Sequence, residues 1–503
     1  MRNRRTAHPL LATALAAVTA LATVSATLAV PSAADAATPR AEGTPMPTVE
    51  PITGRTTPFG AALQDLRAAG YVEREYRVTL TDPQVYAYTG TSTEVSASPA
   101  PPSPEGAYRS RMLVRLPKDP ADFNGRVLVE MLNTTAQLDL DVAWQQAHGY
   151  LLRDGWAYVG LTVQQTGLSA LNAFKRDPRR YAGLGLNLRT PAAVEAGFTG
   201  NRDPSLAWDL VSQVGALVGS GADGDPLRGY DVGRTYLTGQ SQMAGYAVTY
   251  VNAIHPRAQV YDGFLVVSRS ARATNLGWST DPTSTTDAQL RLAGGGTPVL
   301  NLQTETDVSS SPLVRRPDAD TTTDRFRLWE VAGSAHNDEW ASLQSLDLIA
   351  RDFPLSISTD CQWRPPTTVT RFPVRYVWHA ALDRLDRWAS GGAAPPTAPR
   401  IALSGDRVLR DRDGNARGGV RIAPMDVPLA RYAPTSPGAL FCGLTGAQTP
   451  FSAKKQATRY GTTARYVTKV RASTAADVRT GYLLREDRAA LVAAAKKVVI
   501  PRR

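Results

Sequence analysis

From residue 71 onward, short runs of apolar and β-branched positions alternate with longer stretches whose apolar residues recur at helical spacing. Tyr71 to Leu80 and Tyr108 to Leu116 read as strands, separated by the Ser/Pro-rich loop Ser96 to Pro104. Arg126 to Leu132 and Ala157 to Val163 carry continuous apolar faces, the pattern of strands covered on both sides, with a helix from Ala143 to Arg153 between them. Leu206 to Gly219 predicts a helix, Thr235 to Thr238 a short strand, and Ala247 to Ile254 a helix stopped at His255-Pro256. Val260 to Val267, Thr297 to Leu302 and Arg325 to Val331 complete the strand series. Strand and helix alternating in this way predict a mostly parallel sheet with helices on both faces.

Outside that series the pattern weakens. Residues 37–57 lack periodicity and read as a flexible leader before a core at 58–350. Gln164 to Pro204 and the Gly-rich stretch Ser268 to Gly296 read as cap inserts. Val374 to Trp388 predicts an amphipathic helix, followed by the Pro-rich Ala394 to Pro399, and residues 470–500 end in a helix. Asp411 to Asn415 looks like part of a calcium loop but lacks the distal ligands, so an Asp-Gly turn is the expectation. Residues 351–503 have no signature of their own and are expected to extend the core.

The N-terminus decides the compartment. Arg2, Arg4 and Arg5 precede an apolar run from Pro9 to Val30 and a small-residue site, Ala34-Asp35-Ala36. This is the layout of a signal peptide over residues 1–36, cleaved near Ala36, and it predicts a secreted protein. An uncleaved anchor is the rival reading, and Arg4-Arg5 would also suit twin-arginine export. No later stretch is long and apolar enough to span a bilayer, so no integral membrane segment is expected after removal of the signal. In an oxidising compartment the only two cysteines, Cys361 and Cys442, are expected to pair.

Composition then narrows the function. With 43% hydrophobic residues in 503, the chain is globular. Its net charge of +11 comes from 56 Lys and Arg against 45 Asp and Glu; only seven are Lys, and the Arg are scattered among the acids. A nucleic-acid footprint clusters on one element, so no nucleic-acid partner is expected. Removing residues 1–36 takes away three Arg and one Asp, leaving +9. There is no His-Glu-x-x-His, no Cys-x-x-Cys and no complete dinucleotide loop, so neither a metal nor a cofactor is expected.

The stretch Thr238-Gly239-Gln240-Ser241-Gln242-Met243-Ala244-Gly245 lies between a strand and a helix. A serine on such a turn is pushed out of the sheet plane, with a helix N-terminus behind it that favours negative charge. Met243 stands where a second glycine is usual, and its bulk is expected to crowd strand against helix. On sheets of this kind the acid and the histidine follow the serine in chain order. Of five histidines only His336, directly after the strand Arg325 to Val331, is so placed. After Thr297 to Leu302 come Glu305 and Asp307; Asp307 sits at the usual offset, with Glu305 as the alternative acid. The oxyanion donors are expected at the Gln242 N–H and in the loop Asn133-Thr134-Thr135, at Asn133 or Thr134.

These motifs, together with Phe123-Asn124-Gly125, Val129 to Asn133, Tyr250 to Pro256, Thr304 to Asp307, Ala335-His336, Cys361, Trp388 with Pro395-Pro396, and Cys442-Gly443 before Pro450-Phe451-Ser452, resemble the secreted α/β-hydrolase domain proteins from about Tyr71 onward. Family members carry a small residue at the position of Met243. The resemblance implies an α/β-hydrolase fold, a serine nucleophile at Ser241 and a base at His336. The function expected is a serine esterase acting on a small-molecule or polymeric ester; a peptidase or a silent, ligand-binding version of the fold would use the same residues.

Overall fold

The computed structural model describes residues 43–102, 108–174, 177, 179–188, 203–277, 285–309, 311–353, 361–438 and 440–502. The expected signal peptide over residues 1–36 and parts of both expected cap inserts lie outside the described residues.

Ten strands form one sheet: β1 (Thr48–Pro51), β2 (Tyr71–Thr79), β3 (Arg109–Pro117), β4 (Arg126–Met131), β5 (Ala157–Leu161), β6 (Arg234–Gln240), β7 (Gly263–Val267), β8 (Gly295–Thr304), β9 (Ala319–Thr321) and β10 (Asp324–Val331). Their spatial order is β1-β2-β3-β5-β4-β6-β7-β8-β10-β9. From β5 through β10 neighbouring strands run parallel, while β1, β2, β3 and β9 pair antiparallel at the two sides. The parallel strands are the continuous apolar runs of the sequence, and the reason is visible in the packing. In β4, Val127 and Val129 enter one core while Leu128 enters the other; in β7, Phe264 and Val266 part from Leu265 and Val267 in the same way.

The first core is closed by α2 (Ala207–Leu217) and α3 (Gln242–Thr249), the second by α1 (Val142–Arg153) and α5 (Arg375–Ala389). A further helix, α4 (Glu339–Asp352), packs on α1. Because α5 lies directly on β7 and β8, residues beyond 351 cover one face of the sheet. Residues 470–500 end in a helix, α7 (Arg485–Lys496), as expected; α6 (Thr463–Thr480) precedes it, and Gly481 at φ 86° parts the two. Glycine adopts that left-handed conformation at little cost and ends the helix there. Cys361 and Cys442 form a disulfide.

The expected flexible leader is corrected in part. Within it, β1 pairs antiparallel with β2 from Thr48 opposite Thr79 to Pro51 opposite Tyr76, and the Ile52 N–H donates to Glu75 O at 2.8 Å. Most of this four-residue strand is exposed, so it shows none of the alternation that marks a half-buried strand. No helix among the described residues is long and apolar enough to cross a membrane.

Candidate functional site

Ser241 stands at the junction of β6 and α3 with φ 59° and ψ −114°. A non-glycine residue in such a region costs roughly 1–3 kcal/mol, so the surroundings must hold it. They do so through backbone bonds: the Ser241 N–H donates to Val267 O at the end of β7, and the Ala244 N–H donates to Ser241 O, each at 3.0 Å. Gly239 permits the tight return of the chain, since a Cβ there would strike the Met243 carbonyl. The crowding expected from Met243 does not arise from its side chain, which is buried in the first core. The close approach of strand and helix falls at Gly239 instead.

Two other strand ends meet this turn. After β8 the chain enters a short turn, Glu305–Asp307, and after β10 it reaches His336. His336 Nδ1 lies 2.7 Å from Asp307 Oδ1. The His336 N–H donates to Thr306 Oγ1 at 3.0 Å, fixing the loop that carries the ring. Burial would raise the Asp307 carboxyl, but His336 and hydrogen bonds from Thr304 and Ser268 outweigh it and hold the group below its usual range. Burial likewise works against a charged His336, and Asp307 reverses that, leaving the imidazole above its ordinary value.

Glu305, the alternative acid, is engaged elsewhere. One oxygen pairs with Arg410, and the other accepts the Gly333 N–H at 2.7 Å. Its pKa is raised, chiefly by burial, with Arg410 and Gly333 offsetting part of that. The remaining histidines of the described region are also occupied away from the serine: His379 contacts Asp487 at 2.8 Å, His255 contacts Thr297 at 2.9 Å, and His148 contacts Trp144 O at 3.1 Å.

Asn133 as a backbone oxyanion donor is corrected. Its N–H donates to Leu140 O at 3.0 Å, closing the loop on itself. The Asn133 side chain instead tethers the elbow, because Nδ2 donates to Gln240 O at 3.0 Å and lies 3.4 Å from Gln240 Oε1. Thr134 is the residue whose N–H faces the elbow, 3.3 Å from Gln242 Oε1. The Gln242 N–H opens α3, in the first turn, where amides have no intrahelical acceptor.

One residue that the sequence pattern does not mark joins these groups. Gln240 is buried at the end of β6, and its Nε2 lies 3.1 Å from His336 Nε2. With Nδ1–H donating to Asp307, Nε2 carries the lone pair, and the network orients the Gln240 amide so that its N–H donates there. The partners are 96 residues apart in the chain, beyond the reach of any local pattern. Ser241, His336, Gln240 and Asn133 line one pocket of about 110 Å³, whose walls come from the Thr135–Val142 stretch, from α4 and from residues 441–445.

The family described as "Alpha/beta hydrolase domain" matches residues 43–493. Among curated proteins, no sequence matches. Similar solved structures include a glucuronoyl esterase from Solibacter usitatus, at 10% identity over 63% of this chain and 88% of that one, TM-score 0.30. Another is the esterase Est22, at 11% identity over 56% and 77% of the two chains, TM-score 0.32. A third, a glucuronoyl esterase from Teredinibacter turnerae T7901, shares 12% identity over 55% and 64%, TM-score 0.28. With the sheet order, the strand-to-helix elbow and a family match over most of its length, the chain belongs to the α/β-hydrolase domain family.

Proposed function

We propose that the protein is a secreted serine hydrolase that cleaves carboxylic esters through an acyl-enzyme on Ser241. The observation that carries this reading is the 2.7 Å contact of His336 Nδ1 with Asp307, in a pocket that the positive-φ Ser241 shares. In the reaction, Ser241 Oγ attacks the ester carbonyl carbon as its proton passes to His336 Nε2, and Asp307 steadies the imidazolium. The N–H groups of Gln242 and Thr134 receive the oxyanion; Gln242 Oε1 must leave Thr134 first. The alcohol departs with the proton from His336. Water then attacks the acyl carbon, gives a proton to His336, and the acid leaves as that proton returns to Ser241. Secretion is supported by the N-terminal pattern of residues 1–36 and by the Cys361–Cys442 bridge.

A catalytically silent fold used for binding is the second reading, favoured by one contact: Gln240 occupies the His336 Nε2 that the serine proton needs. A fluorophosphonate probe and p-nitrophenyl esters separate the two. Wild type is expected to label and hydrolyse, with Ser241→Ala and His336→Ala losing about 10⁴-fold or more. An unlabelled, inactive wild type leaves the binding reading, and equal labelling of Ser241→Ala removes the serine from its role. Faster turnover of p-nitroanilides than of the matching esters would make the enzyme a peptidase.

A further inference from the structure

The pocket beside Ser241 has a size and a chemistry that choose among esters. Its apolar side is built by Leu140, Val142, Leu346, Ile349, Phe441 and Leu444, from three separate parts of the chain. Among the described residues lining it there is no Asp, Glu, Lys or Arg. A carboxylate or ammonium entering here would lose water with no Asp, Glu, Lys or Arg in the lining to pair with, whereas a hydrocarbon chain gains by leaving water.

The volume sets a length. An apolar protein cavity of ~150 Å³ holds benzene, six carbons; on that scale the roughly 110 Å³ here holds about four. The occupant follows from the order of events. The acyl group remains on Ser241 through both half-reactions, while the alcohol leaves after the first, so a pocket lined by Ser241 itself suits the group that stays.

Resting on the ester-hydrolase reading, we infer that this pocket selects uncharged acyl groups of about four carbons, and that Phe441 and Leu444 set the limit. Both belong to the segment around the turn Leu440–Gly443, which Cys442 ties to Cys361. This wall of the pocket, 200 residues after the nucleophile, is thus fastened covalently, and the Asn337 N–H donates to Leu444 O at 2.9 Å, which ties it to the loop carrying His336. A tethered wall is expected to yield little to a longer chain.

The test varies the acyl chain at a constant p-nitrophenol leaving group. From acetate to butyrate, kcat/KM is expected to rise by about fourfold for each methylene. From butyrate to octanoate it is expected to fall, by roughly tenfold for each methylene that must be forced past the wall. The hemisuccinate ester, as long as butyrate but charged, is expected to react at least about a hundredfold more slowly than butyrate. Phe441→Ala should move the optimum to longer chains, and Leu444→Ala serves where that variant folds poorly. Rates rising steadily to octanoate, a hemisuccinate as good as butyrate, or an unchanged chain profile in both variants would overturn the inference. So would dependence on alcohol length but not on acyl length in a series of alkyl butyrates and acyl methyl esters. Binding to Ser241→Ala, read by thermal shift with ethyl butyrate and ethyl octanoate, tests the pocket without turnover. Stabilisation by the butyrate alone supports the pocket even if wild type proves inactive, while stabilisation by the octanoate alone or by neither ester refutes it.

Discussion

Gln240 is expected to lower the proton affinity of His336, and the sign of its effect follows from the direction of one hydrogen bond. The Gln240 N–H donates at 3.1 Å to a lone pair that exists only while the imidazole is neutral. It therefore stabilises the neutral ring and opposes the upward pull of Asp307. Replacing Gln240 by Met keeps most of the volume and removes the donor. The bond from Asn133 Nδ2 to the residue 240 backbone carbonyl is unaffected, so the elbow keeps its tether. A neutral hydrogen bond contributes about 0.5–1.5 kcal/mol net, and one pKa unit corresponds to about 1.36 kcal/mol. The Met variant should thus favour the protonated His336 by about 0.5–1.5 kcal/mol relative to wild type, raising its pKa. Gln240→Glu replaces a donor with an anionic acceptor that favours the imidazolium, and should raise it further. The acidic limb of the kcat/KM profile reports the free enzyme, so it should move to higher pH in the order wild type, Met, Glu. A histidine NMR titration reads the same shift without turnover. A limb that stays in place or moves to lower pH in Gln240→Met would refute the reasoning, since a merely structural residue would alter rates without ordering the pKa values.

Two further predictions rest on the carboxylates. Asp307→Asn should cost about 10³–10⁴-fold in kcat, by favouring the wrong histidine tautomer, whereas Glu305→Gln should mainly lower the melting temperature because it leaves Arg410 unpaired; equal activity losses would reassign the acid. A separate set of buried carboxyls governs stability: burial pushes Glu130 up to about 8, Asp477 to about 7, and Asp139 and Asp338 to about 6. Each binds its proton more tightly folded than unfolded, so its contribution is complete below its unfolded pKa and is lost as pH rises through the folded one. Urea unfolding should show stability declining between about pH 4 and 8, and Glu130→Gln should flatten that slope; an unchanged slope would exclude Glu130 as a source.

What the sequence makes legible follows the range of the interactions. The parallel strands announce themselves because both faces are buried, as at Val127, Leu128 and Val129. Chain order along one sheet points to His336 and narrows the acid to Asp307 or Glu305; the structure places Asp307 2.7 Å from His336. The sequence leaves Asn133 and Thr134 both open as the second oxyanion donor, because the Asn133 N–H bond to Leu140 O is a backbone bond that no side-chain pattern records. Gln240 sits inside the serine motif, but its meaning lies in a contact with the far strand end. Phe441 and Leu444 are apolar residues in an irregular segment, where no period marks them, and only the folded chain brings them to Ser241.

The two edges of the sheet bear on self-association. Any open sheet ends in strands whose outer N–H and C=O groups could recruit a second copy of the chain. Here the edges are β1, four residues finishing in Pro51, and β9, only three residues long. Glu50 on β1 also pairs with Arg77, placing charge on the rim. Trimming the chain back to residue 58 would strip β1 and bare the nine-residue β2 as a docking rail for other molecules. Part of the stretch that reads as a flexible leader in the sequence thus covers the outer edge of β2.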